Sequence, residues 1–282
     1  MEIRSIAVLG AGTMGHGIAH AAIAGGYDTR MYDVSEAAVA KGRAAIEQIG
    51  RKAVELGKIR GADADAMLGR LTPTTSLEDA LGGADFVIEA APERIDLKLG
   101  LFAEIQRCAP ADAVVATNTS ALSVTEMAGS LENPRRVAGM HFFNPVHKMK
   151  LVEIVQALES APGTLQAVED VAKRMGKETV LVRESPGFIT TRVNATIGNE
   201  AFYMLMEGVA SARDIDKALK LGLNHPMGPF ELVDLVGLDT RLSILEYLHR
   251  SMGEKYRPCP LLAQYVKAGR LGRKVGRGVY EY

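Results

Sequence analysis

Over its first two-thirds the chain alternates two kinds of apolar pattern. "SIAVLG" at 5–10 is a strand-length run of β-branched and aliphatic residues. "TMGHGIAHAAIAGG" at 13–26 has helix-forming composition ended by Gly25 and Gly26, and "DTRMYD" at 28–33 can return as a second strand. Together they predict a β-α-β unit. The next stretch, "SEAAVAKGRAAIEQIGRKAVELGKIRGADADAMLGRL" at 35–71, is long, charged and helically patterned, with Gly57 and Gly61 as breakers. It predicts a helical hairpin inserted after the second strand. Further strands are predicted at "ADFVIEA", "AVVATNTS", "RVAGMHFF" and "LVEIV", separated by helix-like stretches such as "RIDLKLGLFAEIQRCA" and "SVTEMAGSLE". Short buried-strand runs alternating with helices predict an α/β fold with a parallel, doubly wound sheet.

After about residue 185 the pattern changes. "SPGFITTRVNATIGNEAFYMLMEGVA", "SARDIDKALKLGL", "GPFELVDLVGLDTRLSILEYLHR" and "CPLLAQYVKAG" carry helical spacing with Ser, Pro and Gly punctuation and no strand pattern. The expected organisation is an α/β domain over 1–185 and a smaller all-α domain over 186–282. The first helix of the second part is unusually apolar. It suits a position between domains, at a subunit interface, or at the centre of a monomeric domain.

The glycines of the first turn carry the first chemistry. Gly10, Gly12 and Gly15, with Thr13 and Met14 between them, follow a strand and open a helix. In that context the first glycine permits a tight turn, the second lets backbone approach a pyrophosphate, and the third lets helix pack on strand. The phosphates then sit at a helix N-terminus, where free N–H groups favour anions. Asp33, roughly twenty residues further on, is placed to accept hydrogen bonds from an adenosine ribose and to repel a 2′-phosphate, which favours NAD over NADP. Arg30 nearby works against that preference. The reading is a Rossmann-type dinucleotide domain.

In an open parallel sheet, ligands bind beyond the carboxyl ends of the strands. Three such ends carry polar groups: Glu93 and Lys98 in "EAAPERIDLK", Asn118 and Ser120 in "ATNTS", and His141 and Asn144 in "GMHFFNP". Glu153 lies amid aliphatics in "LVEIV", where an unpaired buried acid would be costly. A histidine is its natural partner, so His141 with Glu153 reads as a general base oriented by a carboxylate. A hydride transfer needs, besides that base, donors that quench a developing alkoxide, and Ser120 suits this. The competing role for Ser120 is to cap the helix of "SALSVTEM".

Composition narrows the partners. The 282 residues are 47% hydrophobic and 24% charged with a net charge of -1, and the mean hydropathy of +0.04 contains no run long enough to cross a bilayer. No basic field favours nucleic acid. Cys108 and Cys259 are far apart and lack metal-type spacing, which points to a reducing compartment without a disulfide framework. "MEIRSIAV" has neither a basic presequence nor a signal-like apolar stretch, and the expected location is the cytoplasm. Arg51, Lys52, Lys58 and Arg60 gather near the hairpin tip; a solvated helix face and a phosphate site are the two readings.

"GAGTMGHGIA", "NTSAL", "GMHFFNPV", "LVEIV", "SPGFI", "NHPMGPFELVDLVGLD" and "LGRKVGRGVYEY" occur in that order along the whole chain. In these motifs it resembles the short-chain L-3-hydroxyacyl-CoA dehydrogenases, in particular the bacterial 3-hydroxybutyryl-CoA enzymes. The resemblance implies reversible oxidation of (S)-3-hydroxybutyryl-CoA, or a somewhat longer acyl-CoA, with NAD. It makes His141 the base, Glu153 its orienting acid and Ser120 a hydroxyl that contacts substrate. It places Glu93, Lys98, Asn144 and Lys274 against NAD, and puts the coenzyme A phosphates near Lys52 and Lys58. It also implies a homodimer joined through the helical domain.

One position departs from the family. "PGFITTR" has Thr191 where the family commonly has a substrate-contacting asparagine. The hydroxyl is shorter and lacks the amide's second group. Asn194, one turn on, shares nearly the same helix face as a substitute. Two other readings of the fold are a dehydrogenase of a free 3-hydroxy acid and a non-catalytic dinucleotide-binding protein.

Overall fold

β1 (Ser5–Leu9) buries Ile6, Ala7, Val8 and Leu9 in succession, as a central parallel strand covered on both faces does. In the computed structural model, which describes residues 2–282, it leads into α1 (Thr13–Ala24) and β2 (Asp28–Tyr32). The hairpin follows as α2 (Glu36–Glu55) and α3 (Gly61–Leu68). Next come β3 (Leu71–Thr74), α4 (Leu77–Leu81), β4 (Phe86–Glu89), α5 (Ile95–Cys108), β5 (Val114–Thr117) and α6 (Val124–Ala128). β6 (Val137–Phe142), β7 (Leu151–Gln156), α7 (Pro162–Arg174) and β8 (Glu178–Arg183) complete the α/β part. The eight strands form one sheet in the order β3-β2-β1-β4-β5-β6-β7-β8.

The doubly wound sheet differs from the expected one at one ladder. β6 and β7 pair antiparallel, while the remaining neighbours are parallel. The eight residues 143–150 between them are too few for a crossover, which takes a dozen or more. Two edge strands also escape the apolar pattern. β3 holds only four residues and includes Pro73, which an edge strand tolerates. β8 is mostly solvent-facing, and its apolar run is only the three residues Val180 to Val182, between charged ends.

The chain divides into two compact units, Met1–Glu184 and Ser185–Tyr282. The first unit's core packs α1 and α7 on the sheet, with Ile18, Met31, Phe86, Met140 and Val171 among its buried residues. The second unit contains α8 (Thr190–Met206), α9 (Ala212–Gly222), α10 (Pro229–Val236), α11 (Leu238–Met252) and α12 (Pro260–Lys267). α8 packs against α10, α11 and α12 and buries Ala195, Ala201 and Phe202 within its own unit, with Phe202 edge-on to Phe230 at 5.1 Å. The C-terminal "GRGVYEY" is tied down by two buried acids. Asp234 accepts from the backbone N–H groups of Val279 and Tyr280 and from the Tyr282 hydroxyl, and Asp216 accepts from the Tyr280 hydroxyl. Gly278 is required there, because a Cβ would lie 2.0 Å from Asp234 Oδ1. No helix among the described residues is long and apolar enough to cross a membrane.

Candidate active site

Beyond the carboxyl ends of β1, β2, β4 and β5 lies a cavity of about 840 Å³. The glycine turn forms one wall. At Gly15 a Cβ would sit 1.7 Å from the Gly10 carbonyl oxygen, so only glycine lets α1 start this close to β1. At Gly12 the position of a Cβ meets nothing within 4 Å, which leaves the backbone open to a ligand. Gly10, Gly12, Thr13 and Met14 line the cavity at this end. Asp33 stands at the other end of the turn. Its Oδ2 accepts from the Ala11 N–H at 2.9 Å and its Oδ1 from the Ser35 N–H at 3.2 Å, so the acid braces the loop as well as lining the cavity.

The cavity suits a dinucleotide without a 2′-phosphate. Asp33, Glu93, Asp96 and Glu104 line it, and no lysine, arginine or histidine is among the described lining residues. Arg30 does not oppose this. Its Nη1 lies 3.7 Å from where a Gly83 Cβ would be, at the end of the sheet where the strands begin.

Glu93, Asn118 and Ser120 line the same cavity. Glu93 Oε1 accepts from the Ser120 N–H at 2.7 Å and the Thr119 hydroxyl at 2.6 Å, and so holds the loop after β5. Asn118 Oδ1 accepts from the Phe142 N–H at 2.9 Å, which ties that loop to β6. Ser120 does not cap the helix; Ser123 does, accepting from the Glu126 N–H at 3.1 Å.

Lys98 lies elsewhere than against the cavity. It is 1% exposed, and its Nζ lies 2.7 and 2.8 Å from the two oxygens of Glu89, itself fully buried, and 3.5 Å from Glu93. Glu89 also accepts from the Thr117 hydroxyl and the Ala91 N–H. A buried pair is tolerated only when its remaining hydrogen-bonding capacity is met, as here. Lys98 and Glu89 therefore shape the loop that presents Glu93. Glu89 was missed in the sequence, although it ends an apolar strand as conspicuously as Glu153 interrupts one. Asn144, half of a cis peptide bond with Pro145, is exposed and does not line the cavity.

On the neighbouring strands, His141 and Glu153 are register partners in the antiparallel β6–β7 ladder. Nδ1 lies 2.7 Å from Glu153 Oε2, with the histidine 5% exposed and the acid fully buried. The Phe143 ring packs against the imidazole at 4.6 Å between centroids. Opposed residues on an antiparallel pair share a face of the sheet, so the one antiparallel step produces this contact.

Lys52, on α2, and Lys58, in the turn after it, are exposed; Lys52 lies 4.0 Å from Glu55. In the second unit, Thr191 is half-buried in the first turn of α8, while Asn194 lines an apolar groove with Ile189, Val193, Ile197 and Met227. Lys274 is ion-paired with Asp239 at 2.6 Å.

Comparison with known proteins agrees with this geometry. Residues 5–185 match the family model "3-hydroxyacyl-CoA dehydrogenase, NAD binding domain" and residues 187–282 match its C-terminal domain. A probable 3-hydroxybutyryl-CoA dehydrogenase of Bacillus subtilis is 48% identical over 100% of this chain and 98% of its own. A 3-hydroxybutyryl-CoA dehydrogenase of Bradyrhizobium diazoefficiens is 41% identical over 99% and 96%. The crystal structure of (S)-3-hydroxybutyryl-CoA dehydrogenase PaaH1 from Ralstonia eutropha superposes with a TM-score of 0.96 at 43% identity, covering 100% of this chain and 99% of that one. The dinucleotide held by the first unit is thus NAD, and the chain belongs to the 3-hydroxyacyl-CoA dehydrogenase family.

Proposed function

We propose that this chain interconverts short-chain (S)-3-hydroxyacyl-CoA and the 3-keto thioester, with 3-hydroxybutyryl-CoA and acetoacetyl-CoA as its substrate pair and His141 as general base. The observation that carries the reading is the buried His141–Glu153 contact. With Nδ1–H donated to the carboxylate, the neutral imidazole carries its lone pair on Nε2, the nitrogen that takes the proton of the substrate hydroxyl in this reading. In the oxidative direction the 3-hydroxyl O–H bond breaks and its proton passes to Nε2. The electron pair left on oxygen forms the C3=O bond as the C3–H pair departs as hydride. Bound NAD supplies the acceptor for that hydride. Glu153 steadies the imidazolium that results, and in reduction the same proton returns to the oxygen.

The oxygen carries partial negative charge during transfer, and hydrogen-bond donors fixed in place lower the barrier. Ser120 fills this role, with Thr191 and Asn194 contributing from α8 in place of the usual asparagine. Gly10, Gly12, Thr13, Met14, Gly15, Asp33, Glu93 and Asn118 hold NAD, and Asn144 and Lys274 complete its contacts. Lys98 acts from beneath through Glu93. Lys52 and Lys58 attract the CoA phosphates. The working form is a cytoplasmic homodimer joined through the helical unit; Val209, Leu221 and Leu223, each more than 60% exposed, supply apolar surface for it.

The test follows NADH absorbance while the purified protein meets acetoacetyl-CoA or free acetoacetate, with NADPH in parallel. Reduction of the thioester alone, with NADH preferred, is the expected result. Reduction of free acetoacetate instead would make Thr191 the mark of a free 3-hydroxy-acid substrate. No turnover of either, although NADH binds, would remove the proposed activity.

A further inference from the structure

The loop that carries Ser120 is held from two directions, and only one of them belongs to the cofactor cavity. On the cavity side, Glu93 Oε1 accepts from the Ser120 and Ala121 N–H groups at 2.7 and 3.1 Å. The Thr119 hydroxyl donates to the same oxygen and accepts from the Leu122 N–H at 2.9 Å. On the far side stands Glu184, 61 positions along the chain from Ser123. Its Oε1 accepts from the Ser123 hydroxyl at 2.6 Å, and its Oε2 from the Thr125 N–H at 2.7 Å and from the Thr125 hydroxyl. Ser123 Oγ is at the same time the cap of α6.

Glu184 is the last residue of the first unit and directly follows β8. Its own N–H donates to the Gln156 carbonyl at 3.0 Å, at the end of β7 and three residues beyond Glu153. The Thr125 hydroxyl accepts from the Leu158 N–H at 3.0 Å, in the turn that leaves β7. Ser123 alone suffices to cap α6, so the carboxylate does something more: it ties the start of that helix to β7. At the other end of the loop, Asn118 Oδ1 accepts from the Phe142 N–H on β6. Ser120 thus lies between two ties, one to the strand of His141 and one to the strand of Glu153. Three donors on one carboxylate need its two oxygens and its charge, because an amide accepts at one oxygen only.

We propose that Glu184 is a positioning residue for the reaction: through Ser123 it fixes the loop that presents Ser120, so that the Ser120 hydroxyl and His141 meet one substrate oxygen. The proposal rests on the reading of Ser120 as a hydrogen-bond donor to that oxygen. Misplacement of a reacting group by about 1 Å, caused by a change far from the chemistry, can cost about 10²-fold in rate. An acid that only stabilised the fold would change the denaturation midpoint and the fraction of active protein, and would leave the rate per NADH-binding site as it was.

The test is a double-mutant cycle on kcat for acetoacetyl-CoA reduction, normalised to NADH-binding sites. Glu184→Gln keeps the length of the side chain and leaves one of its donors without an acceptor. It is expected to lower kcat about tenfold or more, with KM and NADH affinity within about twofold of the parent. Ser120→Ala is expected to cost about 10²- to 10³-fold, and in that background Glu184→Gln is expected to cost less than a further factor of about two. Ser123→Ala leaves the carboxylate and removes the link toward Ser120. It is expected to lower kcat and to be equally silent beside Ser120→Ala, and it carries the test if Glu184→Gln does not fold. Equal losses with and without Ser120, or parental kcat in both Glu184→Gln and Ser123→Ala, overturn the proposal.

Ser120→Ala with parental kcat would remove the role of Ser120 and the proposal with it, leaving the substrate reading intact. Amide hydrogen exchange over residues 118–123, with NADH bound, needs no turnover. Faster exchange at Ser120 and Ala121 in Glu184→Gln is expected, as local opening becomes easier. Unchanged exchange overturns the proposal even if acetoacetyl-CoA is not reduced.

Discussion

Glu153 stands directly opposite His141 across the β6–β7 ladder, its carboxylate 2.7 Å from the imidazole Nδ1 and sealed from solvent. The contact needs no flexible element: two strand positions in one register fix both side chains on one face. Glu153→Gln keeps the shape but removes the charge that orients the ring and steadies its protonated form. Turnover of acetoacetyl-CoA is expected to drop about 10²- to 10⁴-fold, as for other acids that orient a catalytic histidine. His141→Gln is expected to fall at least as far, and NADH affinity by fluorescence titration stays within a factor of a few for both. A Glu153→Gln enzyme with near-parental kcat would end the orienting role.

Lys98 and Glu89 form a second buried pair, one that positions the Glu93 loop. Lys98→Met leaves Glu89 buried without its counter-charge, and removing one partner of such a pair costs about 3–5 kcal/mol. Adding Glu89→Gln to that variant is expected to restore part of the loss, because the amide carries no charge, its one oxygen still accepts from the Ala91 N–H, and its NH2 can donate to the Thr117 hydroxyl oxygen. Urea denaturation of the single and double variants measures this. Equal stability of Lys98→Met and the parent would show that the pair contributes little.

What was legible in the sequence divides along physical lines. The glycine turn, Asp33 and the inner strands were readable because each is a local pattern: a continuous apolar run, a fixed spacing, a breaker. The antiparallel return of β7 was not foreseen, since the direction of a strand is set by the length of the connection and leaves no trace in the strand itself. β3 and β8 were missed because edge strands bury one side at most. Lys98 was expected to touch NAD directly; its burial depends on Glu89, a partner nine residues away whose side chain reaches it only once β4 and α5 pack. The cap on α6 passed from Ser120 to Ser123 by a shift of a single turn, which "SALS" leaves open.

Asp33 joins cofactor choice to loop geometry. Asp33→Ser removes the carboxylate that repels a 2′-phosphate and that accepts from Ala11. A hydrogen bond to a charged group is worth about 1.5–3 kcal/mol, so NADH affinity is expected to weaken about tenfold to a hundredfold. NADPH is expected to gain relative to NADH, since no lysine, arginine or histidine among the described residues lines the cavity to bind its phosphate but the repulsion is gone. Steady-state kinetics with both cofactors checks this; an unchanged NADH to NADPH preference would remove Asp33 from the discrimination.

His20 predicts the acid limb of the stability curve. Its pKa is lowered to about 4 in the fold by burial and by His147, Lys177 and His16, against about 6.5 in an unfolded chain. Between those values the unfolded chain holds the proton and the fold does not, so stability rises with pH there. The contribution is fully present above about pH 6.5 and lost as pH falls toward 4, about 3 kcal/mol over the whole window. His20→Gln is expected to flatten urea midpoints between about pH 6.5 and 4.5. A variant whose midpoints follow the parent's would assign the acid limb to other groups.

Arg241 marks a place where the helical unit pays for a charge. It lies on α11 beside Gly198 of α8, 2% exposed, and among the described residues its Nε meets no acceptor. Burial lowers its pKa to about 10, so the guanidinium remains cationic at neutral pH, with no carboxylate among the described residues acting on it. Replacing buried charge by an apolar side chain of similar volume stabilises by about 1–4 kcal/mol in other proteins. Methionine adapts to irregular space and keeps the stem contacts. Arg241→Met is therefore expected to raise the thermal midpoint by several degrees, read by differential scanning calorimetry. A lower midpoint would mean that the guanidinium has an acceptor supplied from outside this chain, and repeating the scan across protein concentrations would then distinguish a second copy from a small anion.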